Sequence, residues 1–123
     1  MISKQQPHIK RAQKESLILK ELSRFFMQIT MDEPQLRSLF INRVKLSPDK
    51  SMCTVFFYTQ EGESAFDKLM SILLLYKPSL RKALSSSIPS RYTPELTFKY
   101  DRTYEKQKRI EDLLEKIKED DQL

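Results

Sequence analysis

Pro94-Glu95-Leu96-Thr97-Phe98-Lys99-Tyr100-Asp101 decides how this chain folds. Leu96, Phe98 and Tyr100 alternate with Glu95, Thr97, Lys99 and Asp101, the period of two that marks a strand with one buried face. Beyond Asp101 the period changes. Ile110, Leu113, Leu114 and Ile117 recur at helical spacing, so a strand entered through proline leaves through aspartate into an amphipathic tail helix near residues 103–119.

Working back towards the N-terminus, residues 1–8 carry no periodic pattern and are expected to lack order. From about Ile9 to Ile29, Ile18, Leu22, Phe25/Phe26 and Ile29 form one apolar stripe, flanked by Ala12 and Leu19, which predicts a surface helix. Met31-Asp32-Glu33-Pro34 ends it, because a proline disfavours helical geometry in the residue before it. Leu39–Leu46 and Met52–Thr59 read as two strands joined by the turn Ser47-Pro48-Asp49-Lys50, an antiparallel hairpin. Arg43 and Lys45 alternate with Val44 and Leu46, yet Leu39 and Ile41 share their parity. Either both sheet faces are partly covered or a bulge shifts the register. Ser64-Ala65-Phe66-Asp67 is a capping-box-like helix start with Ser64 as the cap. Phe66, Leu69, Met70, Leu73 and Leu74 continue that helix, and Lys77-Pro78 marks a kink before a second one through Leu80, Ala83, Leu84 and Ile88.

The order is therefore helix, strand, strand, helix, kink, helix, strand and tail, an α+β class. Residues 9–102 form one domain and residues 103–123 a helical or partly disordered tail. At 123 residues the chain has room for one core. A single glycine and six prolines argue against a turn-rich all-β fold.

Composition excludes most chemistry. His8, the sole histidine, falls in the terminus expected to lack order, so no Ser-His-Asp or Cys-His pair is expected within a rigid site, and one His with one Cys cannot build a zinc site. One glycine excludes a P-loop and a dinucleotide fingerprint. Catalysis, a cofactor and a metal are not expected. Ile72-Leu73-Leu74-Leu75-Tyr76, the longest apolar run, is far short of the roughly 20 residues that span a bilayer. With no apolar leader and one cysteine, a cytoplasmic protein is the simplest expectation.

The charge balance points instead to a polyanion. Residues 1–50 carry a net +5, residues 51–100 a net +2 and residues 101–123 a net −2. Between residues 76 and 100 stand five basic side chains and one acid, Glu95. Lys77 and Arg81 lie four apart on one helix face, Lys82 flanks them, and Arg91 follows in the next loop. Beside a helix start these can clamp phosphate, or they can simply solvate the helix. Arg43 reads either as a surface contact or as the partner of a tail carboxylate. Tyr76 and Tyr92 are the aromatics best placed to stack on bases.

Two blocks resemble ribosome-binding factor A, a bacterial family of small-subunit assembly factors. They are Arg43-Val44-Lys45-Leu46-Ser47-Pro48-Asp49 and Pro94-Glu95-Leu96-Thr97-Phe98 with Asp101, Arg109-Ile110 and Leu113-Leu114. The resemblance covers roughly residues 10–117. It implies a type II K-homology fold, a three-stranded sheet with helices packed on one face. It implies binding to 16S rRNA and the free, immature 30S subunit, help with late maturation of that RNA near its 5′ end, release before translation, and a theme of cold adaptation. The expected protein is a monomer with no membrane or small-molecule partner. Its RNA contacts would be Lys77, Arg81, Lys82 and Arg91, extended by Arg43, Lys45, Lys10 and Arg11. One place departs from the family pattern: Tyr76-Lys77-Pro78 stands where members carry Ala-x-Gly, so the close backbone approach that glycine permits does not follow. The rival expectations are a protein-interaction module that docks through its tail, and a general small basic RNA-binding protein.

Overall fold

The computed structural model describes residues 7–88 and 92–121. Helix α1 (Pro7–Asp32) leads through a short 3₁₀ turn at Pro34–Leu36 into β1 (Phe40–Leu46) and β2 (Met52–Tyr58). Helices α2 (Glu63–Leu75) and α3 (Lys77–Ser87), β3 (Glu95–Tyr100) and α4 (Arg102–Asp121) follow. The expectation of an unordered segment at residues 1–8 lies outside the described residues for 1–6, whereas Pro7 and His8 already belong to α1.

The strands form one mixed sheet in the order β1-β2-β3, with β1 and β2 antiparallel and β2 and β3 parallel. Parallel neighbours need a long crossover, and α2 with α3 supplies it. Helices α1, α2 and α3 cover one face, burying Ile18, Leu22, Phe26, Phe66, Leu73, Leu80 and Leu84 against Val44, Val55, Phe57, Leu96 and Phe98. Phe57 sits at the centre, with ring centroids 5.3 Å from Phe26, 5.9 Å from Phe66 and 5.2 Å from Phe98. This is the type II K-homology layout.

The parity conflict in β1 is resolved by a bulge. Ile41 pairs with Phe57 and Arg43 with Phe56, so Asn42 is the extra residue. Ile41 and Val44 thereby both reach the core, while Arg43 and Lys45 point away from it. In the hairpin turn, Asp49 accepts hydrogen bonds from the Ser47 and Ser51 hydroxyls at 2.7 and 2.8 Å and from the Ser51 N–H at 3.0 Å. Those bonds, that of Ser47 foremost, lower its carboxyl to about 2.

Two sequence expectations about helix starts part ways. Ser64 does not cap α2. The helix begins two residues earlier than that cap implies, at Glu63, with Gly62 as its cap in a left-handed conformation (φ 92°) that favours glycine. The break before α3 falls where Lys77-Pro78 placed it. Tyr76 ends α2, and Pro78 lies in the first turn of α3, where a missing N–H costs no helical bond.

Helix α4 is anchored only at its root. Asp101 accepts the Tyr104 N–H at 3.1 Å as an N-cap, Arg102 holds Glu63 at 2.6 Å, and the Tyr104 ring packs 4.8 Å from Tyr58. From Arg109 to Asp121 every residue is exposed.

Candidate nucleic-acid interface

The proline-started helix α3 presents its outer side next to the loop that enters β3. Pro78, Arg81, Lys82, Ser85, Ser86, Tyr92 and Thr93 line a shallow open groove between them. Its rim carries Tyr92, 72% exposed, and Lys82, also exposed.

The cations of this region are not equivalent. Arg81 is already engaged: its Nε donates to the Pro94 carbonyl at 3.2 Å and its Nη2 to the Thr93 carbonyl at 2.9 Å. Nη2 also pairs with Glu95 at 3.2 Å. Its first duty is to fasten the incoming loop to α3, leaving 42% of the side chain exposed on the groove. Lys77 is half-buried, with its ammonium 5.5 Å from the centroid of the Phe98 ring. Lys82 is free to reach outward. Arg91 lies outside the described residues. Pro78 contributes no N–H, so the first turn of α3 offers phosphate one backbone donor fewer than another residue would.

On α1, Lys10 is exposed and Arg11 half-buried. One turn further on, Lys14 lines the seam where Ile18 meets Leu84, Ile88 and Tyr92, so Lys10 lies on the same helix face as a groove neighbour. The N-terminal half of α1, the outer side of α3 and the 92–94 loop thus form one basic region. Arg43 and Lys45 are not part of it. They stand on the opposite side of the sheet.

There Arg43 does pair with a carboxylate, but that of Asp101 at the end of β3 and not one of the tail at residues 103–123. Its Nε donates to Asp101 Oδ2 at 2.8 Å and its Nη2 to Oδ1 at 3.3 Å, while Asn42 Nδ2 donates to Oδ2 at 2.9 Å. Asp101 is fully buried, and burial alone would raise its carboxyl. The hydrogen bonds from Arg43, Asn42 and the Tyr104 N–H outweigh that and hold it below the usual carboxylate range. The guanidinium lies 3.8 Å from the Phe56 ring centroid. Phe56, whose place in the run Phe56-Phe57-Tyr58 reads as core packing, and Lys99 continue the row of Arg43 across β2 and β3; the strand parity of Thr54, Phe56, Thr97 and Lys99 was the signal available.

Of the two candidate stacking tyrosines, only Tyr92 faces the groove. Tyr76 is half-buried and donates its hydroxyl to Glu33 at 3.3 Å, tying the kink to the end of α1. Cys53 is fully buried, and burial, reinforced by the charge of Glu15, pushes its thiol up to about 12, far from a nucleophile's range. Among the described residues no three His, Cys, Asp or Glu side chains gather where they could hold a metal, and no helix is long and apolar enough to cross a membrane.

A small α+β domain of K-homology type, with a basic groove beside a proline-broken helix pair, is the class that fold and site define together. Ribosome-binding factor A is the family whose model matches, over residues 10–114, and this chain belongs to that family. A ribosome-binding factor A from Prochlorococcus marinus is 32% identical over 114 residues, covering 91% of this chain and 86% of its own length. Another, from Syntrophomonas wolfei, is 35% identical over 105 residues, covering 81% and 86%. In three dimensions the chain is similar to the crystal structure of ribosome-binding factor A from Thermus thermophilus. The TM-score is 0.62 at 23% identity, over 73% of this chain and 93% of that one. A solution NMR structure from Thermotoga maritima superposes with a TM-score of 0.65, also at 23% identity, over 80% and 92%.

Proposed function

We propose that this protein is a non-enzymatic ribosome-assembly factor that binds the immature 30S subunit and assists late maturation of 16S rRNA near its 5′ end. Family membership supports the ribosome as partner. The observation that carries the RNA contact is the groove of α3, where Lys82 and the exposed side of Arg81 stand beside Tyr92 and the basic face of α1. Such a surface binds phosphate through charge and holds an RNA element in one arrangement while its neighbours fold. Binding alone suffices for that role, since the protein need only favour one RNA conformer over others.

The test is co-sedimentation with 30S particles. Arg81 is a poor choice for it, because its loss would loosen the loop as well as the groove. Lys10→Glu with Lys82→Glu changes only exposed positions. The expected result is loss of 30S association at moderate salt with an unchanged melting temperature; wild-type sedimentation of this variant would overturn the groove as the contact surface.

One feature favours a second reading, a protein-docking module. Ile110, Leu113, Leu114 and Ile117 make an apolar stripe on α4 that is 50–61% exposed. Deletion of residues 103–123 separates the two: an RNA-binding domain retains salt-sensitive affinity for RNA, whereas a tail-docked module loses all binding.

A further inference from the structure

Helices cover one face of the sheet, and the root of α4 covers only the upper end of the other, through Tyr104 on Phe40 and Tyr58. The remainder of that second face is open. Across it the register aligns Arg43, Phe56 and Lys99 in one row and Lys45, Thr54 and Thr97 in the next. Phe56 is thus a half-buried aromatic on the middle strand, with cations on both neighbouring strands.

We infer that this open sheet face is a second RNA-binding surface, one that stacks an unpaired base on the Arg43–Phe56 pair and holds the flanking phosphates with Lys45 and Lys99. The inference rests on the RNA reading above and adds the kind of RNA, single-stranded.

Three observations carry it. The Arg43 guanidinium is held at its edges by Asp101 and lies 3.8 Å from the Phe56 ring centroid. An arginine fastened in this way keeps a fixed plane on which a base can stack without ordering the side chain anew. The charge of the face is one-sided: Lys45 and Lys99 are exposed and pair with no acid among the described residues. Among the described residues of the three strands, the one exposed acid on this face, Glu95, is already bound to Arg81. Finally, Phe56 stands between Arg43 and Lys99, with Thr54 on one side along its strand and the buried Tyr58 on the other, a single accessible ring among cations that suits a sugar–phosphate chain with one splayed base. A protein partner would favour a broader apolar centre. Duplex RNA does not fit, because its bases are already stacked on one another.

The experiment uses the full chain and a short adenine-rich single-stranded RNA carrying one fluorescent purine whose emission is quenched on stacking. Wild-type protein is expected to quench it. Phe56→Ala should abolish the quench, and affinity should fall about five-fold or more, the lower end for losing one stacked base. Lys45→Gln with Lys99→Gln, which leaves the core untouched, should weaken binding about tenfold at low salt and reduce its salt dependence. The groove variant Lys10→Glu, Lys82→Glu should bind more weakly yet still quench. If the sheet variants quench and bind as wild type while the groove variant weakens, the stacking face is overturned and the proposed function stands. If no variant differs from wild type, or wild type does not bind, the RNA reading itself falls with it.

Discussion

Replacing Asp101 by alanine removes a carboxylate that accepts four hydrogen bonds. Its carboxylate receives Asn42 Nδ2 at 2.9 Å, Arg43 at 2.8 and 3.3 Å, and the Tyr104 N–H at 3.1 Å, with no exposure to solvent. Loss of the helix cap costs about 1 kcal/mol. Breaking a buried ion pair costs about 3–5 kcal/mol when the remaining charge is stranded. Arg43 keeps 43% of its side chain in water, so a smaller share applies, about 1–2 kcal/mol. The half-buried amide of Asn42 adds about 0.5 kcal/mol. The sum is about 3 kcal/mol, or about 10 °C in melting temperature for a chain of this size. Asp101→Asn keeps the cap but loses the charge, and should cost about half as much. Because the folded carboxyl is held below its ordinary value, its contribution is complete above the unfolded value of about 3.9 and is lost as pH falls through the lower folded one. The gap between wild type and Asp101→Asn should therefore close in acid. Thermal melts followed by circular dichroism from neutral to strongly acidic pH measure both effects. A melting shift under about 3 °C for Asp101→Ala, or a gap to Asp101→Asn that ignores pH, would falsify the assignment of Asp101 as the clamp between β1 and α4.

Arg81→Ala should destabilise by about 1–2 kcal/mol in urea titration and raise amide exchange in residues 92–95, because it frees two carbonyls from α3. Phe57→Ala, at the centre of a four-ring cluster with Phe26, Phe66 and Phe98, should cost about 3–5 kcal/mol and shift the urea midpoint accordingly; a loss under about 1 kcal/mol would mean that the core closes elsewhere. Cys53 should resist a thiol reagent at neutral pH until denaturant is added, since the thiol is buried and its titration pushed up to about 12. Rapid labelling of the native protein would contradict that burial.

The element order was legible because each element is written in nearby residues. The alternation through Tyr100, the switch to helical spacing after Asp101, and the proline at Pro78 each act over a few positions, and the observed strands and kink fall there. The miss at Ser64 has the same local character. A serine followed three residues later by an acid looks like a cap, but Gly62 reaches a left-handed φ more cheaply and starts the helix first. The basic cluster was legible as charge, though the duties of its members were not. Arg81 looked like a phosphate ligand because Thr93 and Pro94, which it binds, are carbonyl acceptors that any residue could supply.

By itself, then, the sequence determined the α+β order, the single core, and the basic body with an acidic tail. Only the tertiary structure decided that Asn42 bulges, that Arg43 closes on an aspartate 58 residues away, and that Phe56 ends up between cations on an uncovered face. The physical reason is one of range. Backbone periodicity is set by neighbours along the chain, whereas the partner of a long charged side chain depends on which distant strand the sheet lays beside it.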